Sequence, residues 1–135
     1  VPDRCVLDTD VVIAALDRAD AHHVAAARAF EHWAADEVEL LLCTVNYAEA
    51  LVRPAGDEGS LRPAVDAISG LGIRLLAPDA VLARNAARHR GRGISLADGF
   101  ALATAERSDA HVASFDKRVR RALRPAGLRL CPALR

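Results

Sequence analysis

Residues 4–16, Arg-Cys-Val-Leu-Asp-Thr-Asp-Val-Val-Ile-Ala-Ala-Leu, set how the rest of the chain is read. Arg4 to Asp8 is a short apolar run that ends on a carboxylate, the pattern of a buried strand, and Thr9 to Leu16 follows as the start of a helix. The same unit recurs outward. Leu40–Thr44 is a second strand followed by a helix over Thr44–Val52, which Pro54 and the loop Gly56–Gly59 should end. Ile73–Ala77 is a third strand leading into a helix from Pro78 to His89, and His111–Phe115 is a fourth. Helices are also predicted over residues 20–35, with Val24, Ala27, Phe30 and Ala34 on one stripe, over Leu61–Leu71, and from Ser95 to Arg107 after the Gly91-Arg-Gly93 break. Leu128–Leu130 reads as a short fifth strand. Strands separated by helices require right-handed crossovers, which gives an α/β fold with a mainly parallel sheet between helical layers. In such sheets ligands bind beyond the carboxyl ends of the strands.

The chain has 135 residues and 14.4 kDa, enough for a single domain over residues 1–135 that buries roughly two-thirds of its unfolded surface. With 52% hydrophobic and 27% charged residues it falls in the globular range and outside the disordered one. No apolar run approaches the ~18 residues of a membrane span, and no basic segment followed by an apolar stretch opens the sequence. Cys5, Cys43 and Cys131 are odd in number and widely spaced, which argues against a disulfide framework or a zinc site. A reduced, cytoplasmic protein with no membrane partner is expected. The net charge of zero hides an asymmetry: residues 1–66 carry 13 acids and 5 bases, residues 67–135 carry 5 acids and 13 bases. That basic half is either a solvated helix face or a phosphate-facing patch beside an acidic site.

Four carboxylates stand out by placement. Asp8 closes the first strand, Asp116 follows the fourth, Glu49 lies one turn into the helix after the second, and Asp98 lies in the first turn of the helix opened by Ser95. With parallel strands these points fall near one edge of the sheet. Singly, each has a plainer role: Asp8 and Asp116 as helix N-caps, Asp98 in a capping box with Ser95, Glu49 in one with Asn46. Jointly, carboxylates ~4 Å apart repel by ~1–4 kcal/mol per pair, so a cluster persists best around a hard divalent cation such as Mg2+. Such a cation lowers the pKa of a water and stabilises charge on a phosphoryl oxygen, the chemistry of metal-assisted hydrolysis.

These residues carry a family resemblance. Val6-Leu-Asp8-Thr-Asp10-Val-Val-Ile13 resembles the opening strand of PIN-domain ribonucleases, and Cys43-Thr-Val-Asn-Tyr-Ala-Glu49 is similar to their second motif. Ser95-Leu-Ala-Asp98 with Ala103-Thr-Ala105 resembles the third, and Ser114-Phe-Asp116, 18 residues beyond Asp98, the fourth. Chain length and compact layout look most like the toxins of VapBC toxin–antitoxin pairs. The resemblance implies a PIN-like three-layer fold and a Mg2+- or Mn2+-dependent endoribonuclease leaving 5′-phosphate and 3′-hydroxyl ends. Asp8, Glu49, Asp98 and Asp116 inherit the catalytic and metal-binding roles, with Asp10, Ser95 and Ser114 as auxiliary residues. It also implies a cognate antitoxin, an RNA substrate and a homodimer. The sequence departs from the family pattern at Asp10, Cys43 and Gly99; Gly99 should loosen the helix near Asp98 by up to ~1 kcal/mol.

The basic half offers RNA contacts: Arg84, Arg88 and Arg92 recur at four-residue steps and, with Arg118, Arg120 and Arg121, could flank the acidic edge and hold phosphates. An antitoxin has a candidate surface in Val11, Val12, Ala15 and Leu16 with Leu51 and Val52, although core packing competes for most of these. Two other classes remain open. A non-catalytic PIN-like module binding RNA or protein would be signalled by a lost acid, and none is lost. A haloacid-dehalogenase-like phosphohydrolase would use Asp8 as nucleophile and Asp10 as acid, yet needs acids after a lysine, and none follows Lys117. His22, His23, His32, His89 and His111 are read as surface or packing residues, and Trp33 and Phe30 as core.

Overall fold

A computed structural model describes residues 3–135; Val1 and Pro2, part of the expected single-domain span, lie outside the described residues. Strand β1 (Arg4–Leu7) passes directly into α1 (Thr9–Leu16), as read from the sequence, with Asp8 as N-cap. Helix α2 (His23–Ala35) leads to β2 (Glu39–Cys43), followed by α3 (Thr44–Ala50), α4 (Val52–Ala55) and α5 (Leu61–Ser69). Strand β3 (Ile73–Leu76) is followed by α6 (Ala80–Arg90), α7 (Leu96–Ser108), β4 (His111–Ala113) and α8 (Lys117–Leu123). The four strands are parallel, in the order β3-β2-β1-β4. This is the α/β three-layer architecture expected.

Alternation along the strands builds two cores. Cys5, Leu7, Leu40, Leu42 and Ala113 face one layer with Val11, Val12 and Trp33. Val6, Leu41 and Val112 face the other with Leu102, Ala105, Val119 and Leu123. Because β1, β2 and β4 are buried on both sides, they read as continuous apolar runs rather than as alternating ones, whereas the edge strand β3 keeps Arg74 and Leu75 exposed. The chain steps outward from β1 to β2 to β3, then α6 and α7 carry it back to β4 on the other side of β1. The strand order therefore reverses beside β1, and the crevice at its carboxyl end is where this topology places a ligand.

Several sequence expectations are corrected. The buried stripe of α2 is Ala26, Ala29 and Trp33, whereas Val24 is 61% exposed and Ala34 is also exposed. Alanine is so common in this helix that its composition barely biases one face, and Trp33, with its ring edge-to-face to Phe30 at 5.0 Å, sets the rotation instead. Pro54 does not end a helix; it sits within α4, whose first turn needs no N–H donor there. The fifth strand reduces to a single bridge between Val112 and Leu130. Val11 and Val12 are wholly buried in the core and unavailable to a partner. Gly99, read from the sequence as costing helix propensity, is also where α6 and α7 meet: a Cβ there would stand 2.5 Å from the Ala86 carbonyl oxygen. No helix of the described residues is long and apolar enough to cross a membrane.

Candidate active site

Each acidic residue arrives at the β1 crevice by a different local device. Asp8 ends β1 and caps α1, its Oδ1 accepting from the Thr9 N–H at 2.9 Å. Ser114, just past β4, donates its hydroxyl to Asp8 Oδ2 at 2.8 Å and accepts the Asp116 N–H at 3.1 Å. One serine thus ties the ends of the two neighbouring strands together. Asp116 caps α8, its Oδ1 accepting from the N–H groups of Arg118 and Val119. Asp98 forms the capping box with Ser95 at the start of α7 that the sequence allowed. Glu49 does not cap: α3 has Cys43 at its N-cap, and Glu49 is an exposed side chain at the pocket edge.

Asp8, Asp10, Glu49, Asp98 and Asp116 together line one pocket of about 360 Å³ with Ser95 and Arg118. The capping roles of Asp8, Asp98 and Asp116 are therefore real and coexist with convergence. Asp8 is 2% exposed, and burial followed by the charges of Asp10 and Asp98 pushes its carboxyl well above the usual range, against the Ser114 and Thr9 bonds that favour ionisation. Burial also pushes Asp10 up to about 6. Its Oδ2 accepts the Phe115 N–H at 2.9 Å, while its buried Oδ1 has no partner among the described residues. None of the five carboxylates forms an ion pair with a described residue, although Arg118 lines the same pocket.

Asn46 is the residue the sequence reading misassigned. It is fully buried and donates Nδ2 to Thr9 Oγ1 at 3.2 Å and to the Ala97 carbonyl at 3.0 Å, which joins α1, α3 and α7 beneath the pocket. Its spacing to Glu49 suggested a capping box, and nothing local reveals that both its partners come from other helices. Among the arginines, Arg92, Arg118 and Arg121 share a cleft. Arg120 turns inward, donating Nε to the Ser114 carbonyl at 2.7 Å with its guanidinium 6.0 Å from the Phe115 ring, which itself stacks on His22. Arg88 bonds Asn85 within α6, and Arg84 and Arg88 lie outside both the pocket and the cleft.

No three His, Cys, Asp or Glu side chains among the described residues form a ready-made metal cage. The donor set nonetheless fits a hard cation that keeps most of its waters: every donor is oxygen, Asp8 is buried and Asp10 half-buried, and Asp10 Oδ1 is buried without a partner among the described residues.

Comparison with known proteins gives a family. The PIN-domain family model matches residues 5–124. A comparison with curated protein sequences finds no match. Among solved structures, VapBC2 from Rickettsia felis, bound to a DNA fragment from their promoter, superposes with a TM-score of 0.74 at 15% identity, over 95% of this chain and 97% of that one. FitAcB from Neisseria gonorrhoeae gives 0.69 at 22% identity, over 96% and 97%. Mycobacterium tuberculosis VapC20, a Sarcin-Ricin loop cleaving toxin, gives 0.69 at 21%, over 87% and 94%.

Proposed function

The chain belongs to the PIN-domain family, and from that membership we propose that it is a Mg2+-dependent endoribonuclease, the cytoplasmic toxin of a type II toxin–antitoxin pair. The observation that carries this reading is that five carboxylates line one pocket at the β1 crevice and none of them is ion-paired to a described residue. Asp8, Glu49, Asp98 and Asp116 would hold Mg2+, or Mn2+ in its place, with Asp10 beside them. When bound, the ion supplies charge stabilisation to a phosphoryl oxygen and acidifies water for attack on a phosphodiester.

The chain's own groups keep the carboxylates in position. Ser114 orients Asp8 and the Asp116 backbone at once, and Asp10 fixes the β4–α8 turn through the Phe115 N–H. Asn46 fixes α7, and with it Asp98, relative to α1. No covalent enzyme intermediate is required, because a cation held by the carboxylates supports direct attack by water.

An antitoxin partner is supported by an apolar groove of about 840 Å³ between α1, α4 and α5, lined by Leu16, Val52, Pro63 and Ala64 and sharing Ile13 and Glu49 with the carboxylate pocket. Of the surface read from the sequence, Leu16 and Val52 remain, the latter 66% exposed. A helix seated there could direct an arginine or lysine at the acids. The homodimer is carried over from the family's toxins.

The deciding experiment is cleavage of labelled single-stranded RNA by the purified chain with Mg2+ and with excess chelator. Cleavage with Mg2+ alone, lost in Asp98→Asn, is the expected result, and full activity in chelator overturns it. Co-expression with a neighbouring small reading frame should relieve growth arrest and yield a complex on sizing; normal growth without that frame removes the toxin role and leaves the nuclease.

A further inference from the structure

Arg92, Arg118 and Arg121 line a cleft of about 380 Å³ with Gly91, Ala122 and Pro125. Arg118 lines the carboxylate pocket as well, so the two are adjacent across that side chain. Two of the three guanidiniums are tethered in the same way. Arg92 donates Nε to His89 Nδ1 at 3.2 Å, and Arg121 donates Nε to the Lys117 carbonyl at 3.3 Å. In neither does an Nη atom reach a described acceptor, and no described carboxylate lines the cleft. A guanidinium held by Nε has surrendered much of its rotamer freedom on folding, and its two Nη groups remain as the fork that matches two oxygens of a phosphate.

The tether on Arg92 continues inward. His89 is 4% exposed, and its Nε2 meets Glu106 Oε1 on α7. A ring whose Nδ1 accepts from Arg92 carries its proton on Nε2, where Glu106 receives it. The chain Glu106–His89–Arg92 thus runs from α7 into the loop that bears Gly93, Ile94 and Ser95 on the wall of the carboxylate pocket. Arg120 is held by the same kind of Nε tether, on the Ser114 carbonyl, but lies outside the cleft, and Arg88 spends an Nη on Asn85 within its own helix.

We propose that this cleft is a phosphate subsite for single-stranded RNA, holding a backbone phosphate next to the one in the carboxylate pocket, and that His89 and Glu106 are positioning residues that aim Arg92. The identity of the polyanion rests on the nuclease reading above. The test is binding of a labelled single-stranded oligoribonucleotide of mixed sequence to the full chain in excess chelator over a series of salt concentrations. Arg92→Ala and Arg121→Ala should each weaken binding about tenfold and flatten the log–log salt slope by roughly 0.7. Arg124→Ala, outside the cleft, should change neither. His89→Gln should weaken binding as Arg92→Ala does, add nothing in the Arg92→Ala background, and in Mg2+ raise KM more than it lowers kcat. If His89→Gln does not fold, Glu106→Gln at an exposed position gives the same coupling readout. Unchanged affinity and slope in Arg92→Ala and Arg121→Ala overturn the subsite, whatever the cleavage assay shows. Cleft-dependent binding without cleavage in Mg2+ keeps the subsite and removes the nuclease, and a chain that binds no RNA overturns the subsite.

Discussion

Asp79 and Asp10 are both aspartates at the start of a helix, and the protein treats them in opposite ways. Asp79 caps α6, accepts the Leu82 N–H at 2.9 Å and meets Arg107 Nη2 at 2.7 Å; that guanidinium foremost holds its carboxyl down at about 2. Asp10 lies in the first turn of α1, has no arginine partner among the described residues, and burial pushes it up to about 6. The difference is one of placement, since the chain has 18 basic and 18 acidic residues. Arginines pair with Glu39, Asp66 and Asp79, away from the crevice beside β1, where Arg118 lines the pocket without pairing to any of its acids. Surface pairs of that kind add little stability, whereas buried unpaired carboxylates cost it. The scaffold therefore gathers carboxylates that it pairs with no described base.

The strongest way to break this contrast is Asp8→Asn, which removes a buried charge and leaves volume unchanged. RNA cleavage should fall below detection, while the cation-free protein should melt no lower than the parent, because repulsion from Asp10 and Asp98 is relieved. A variant that keeps its activity, or that melts well below the parent, refutes the assignment. Next in size is the scaffold itself. Gly99→Ala gains helix propensity of at most ~1 kcal/mol but sets a methyl against the Ala86 backbone oxygen, so a net loss of about 1–3 kcal/mol is expected in denaturant unfolding. A stabilised Gly99→Ala would show that α6 and α7 can separate at little cost.

A smaller effect tests the electrostatics directly. Asp8 and Asp10 are raised in the folded state, so the native chain holds more protons than the unfolded one between about pH 4 and 6, the interval between the ordinary carboxylate value and that of Asp10. Stability from these groups is fully present below that interval and is lost as pH rises through it. The cation-free melting temperature should be higher at pH 5 than at pH 7.5, and Mg2+ should raise it by a few degrees at pH 7.5 and less at pH 5. Equal Mg2+ shifts at both pH values would count against a carboxylate site. The smallest effect lies at the other end of the contrast: Arg107→Ala, at an exposed pair, should leave melting and cleavage unchanged within error.

The sequence by itself determined the strand–helix alternation and the acids that end or follow the strands. A buried apolar run, an N-cap and a capping box involve residues within a few positions of one another, so the local pattern at Asp8, Ser95, Asp98 and Asp116 carries the information. The order β3-β2-β1-β4, which brings Ser114 onto Asp8 across 106 positions, was decided only by how the two helical layers pack. The same holds for Asn46 bridging three helices, for Gly99 against Ala86, and for the division of the arginines between cleft, core and surface. Each depends on a partner distant in sequence, and a period of 3.6 or 2 residues says which face is buried without saying what it is buried against.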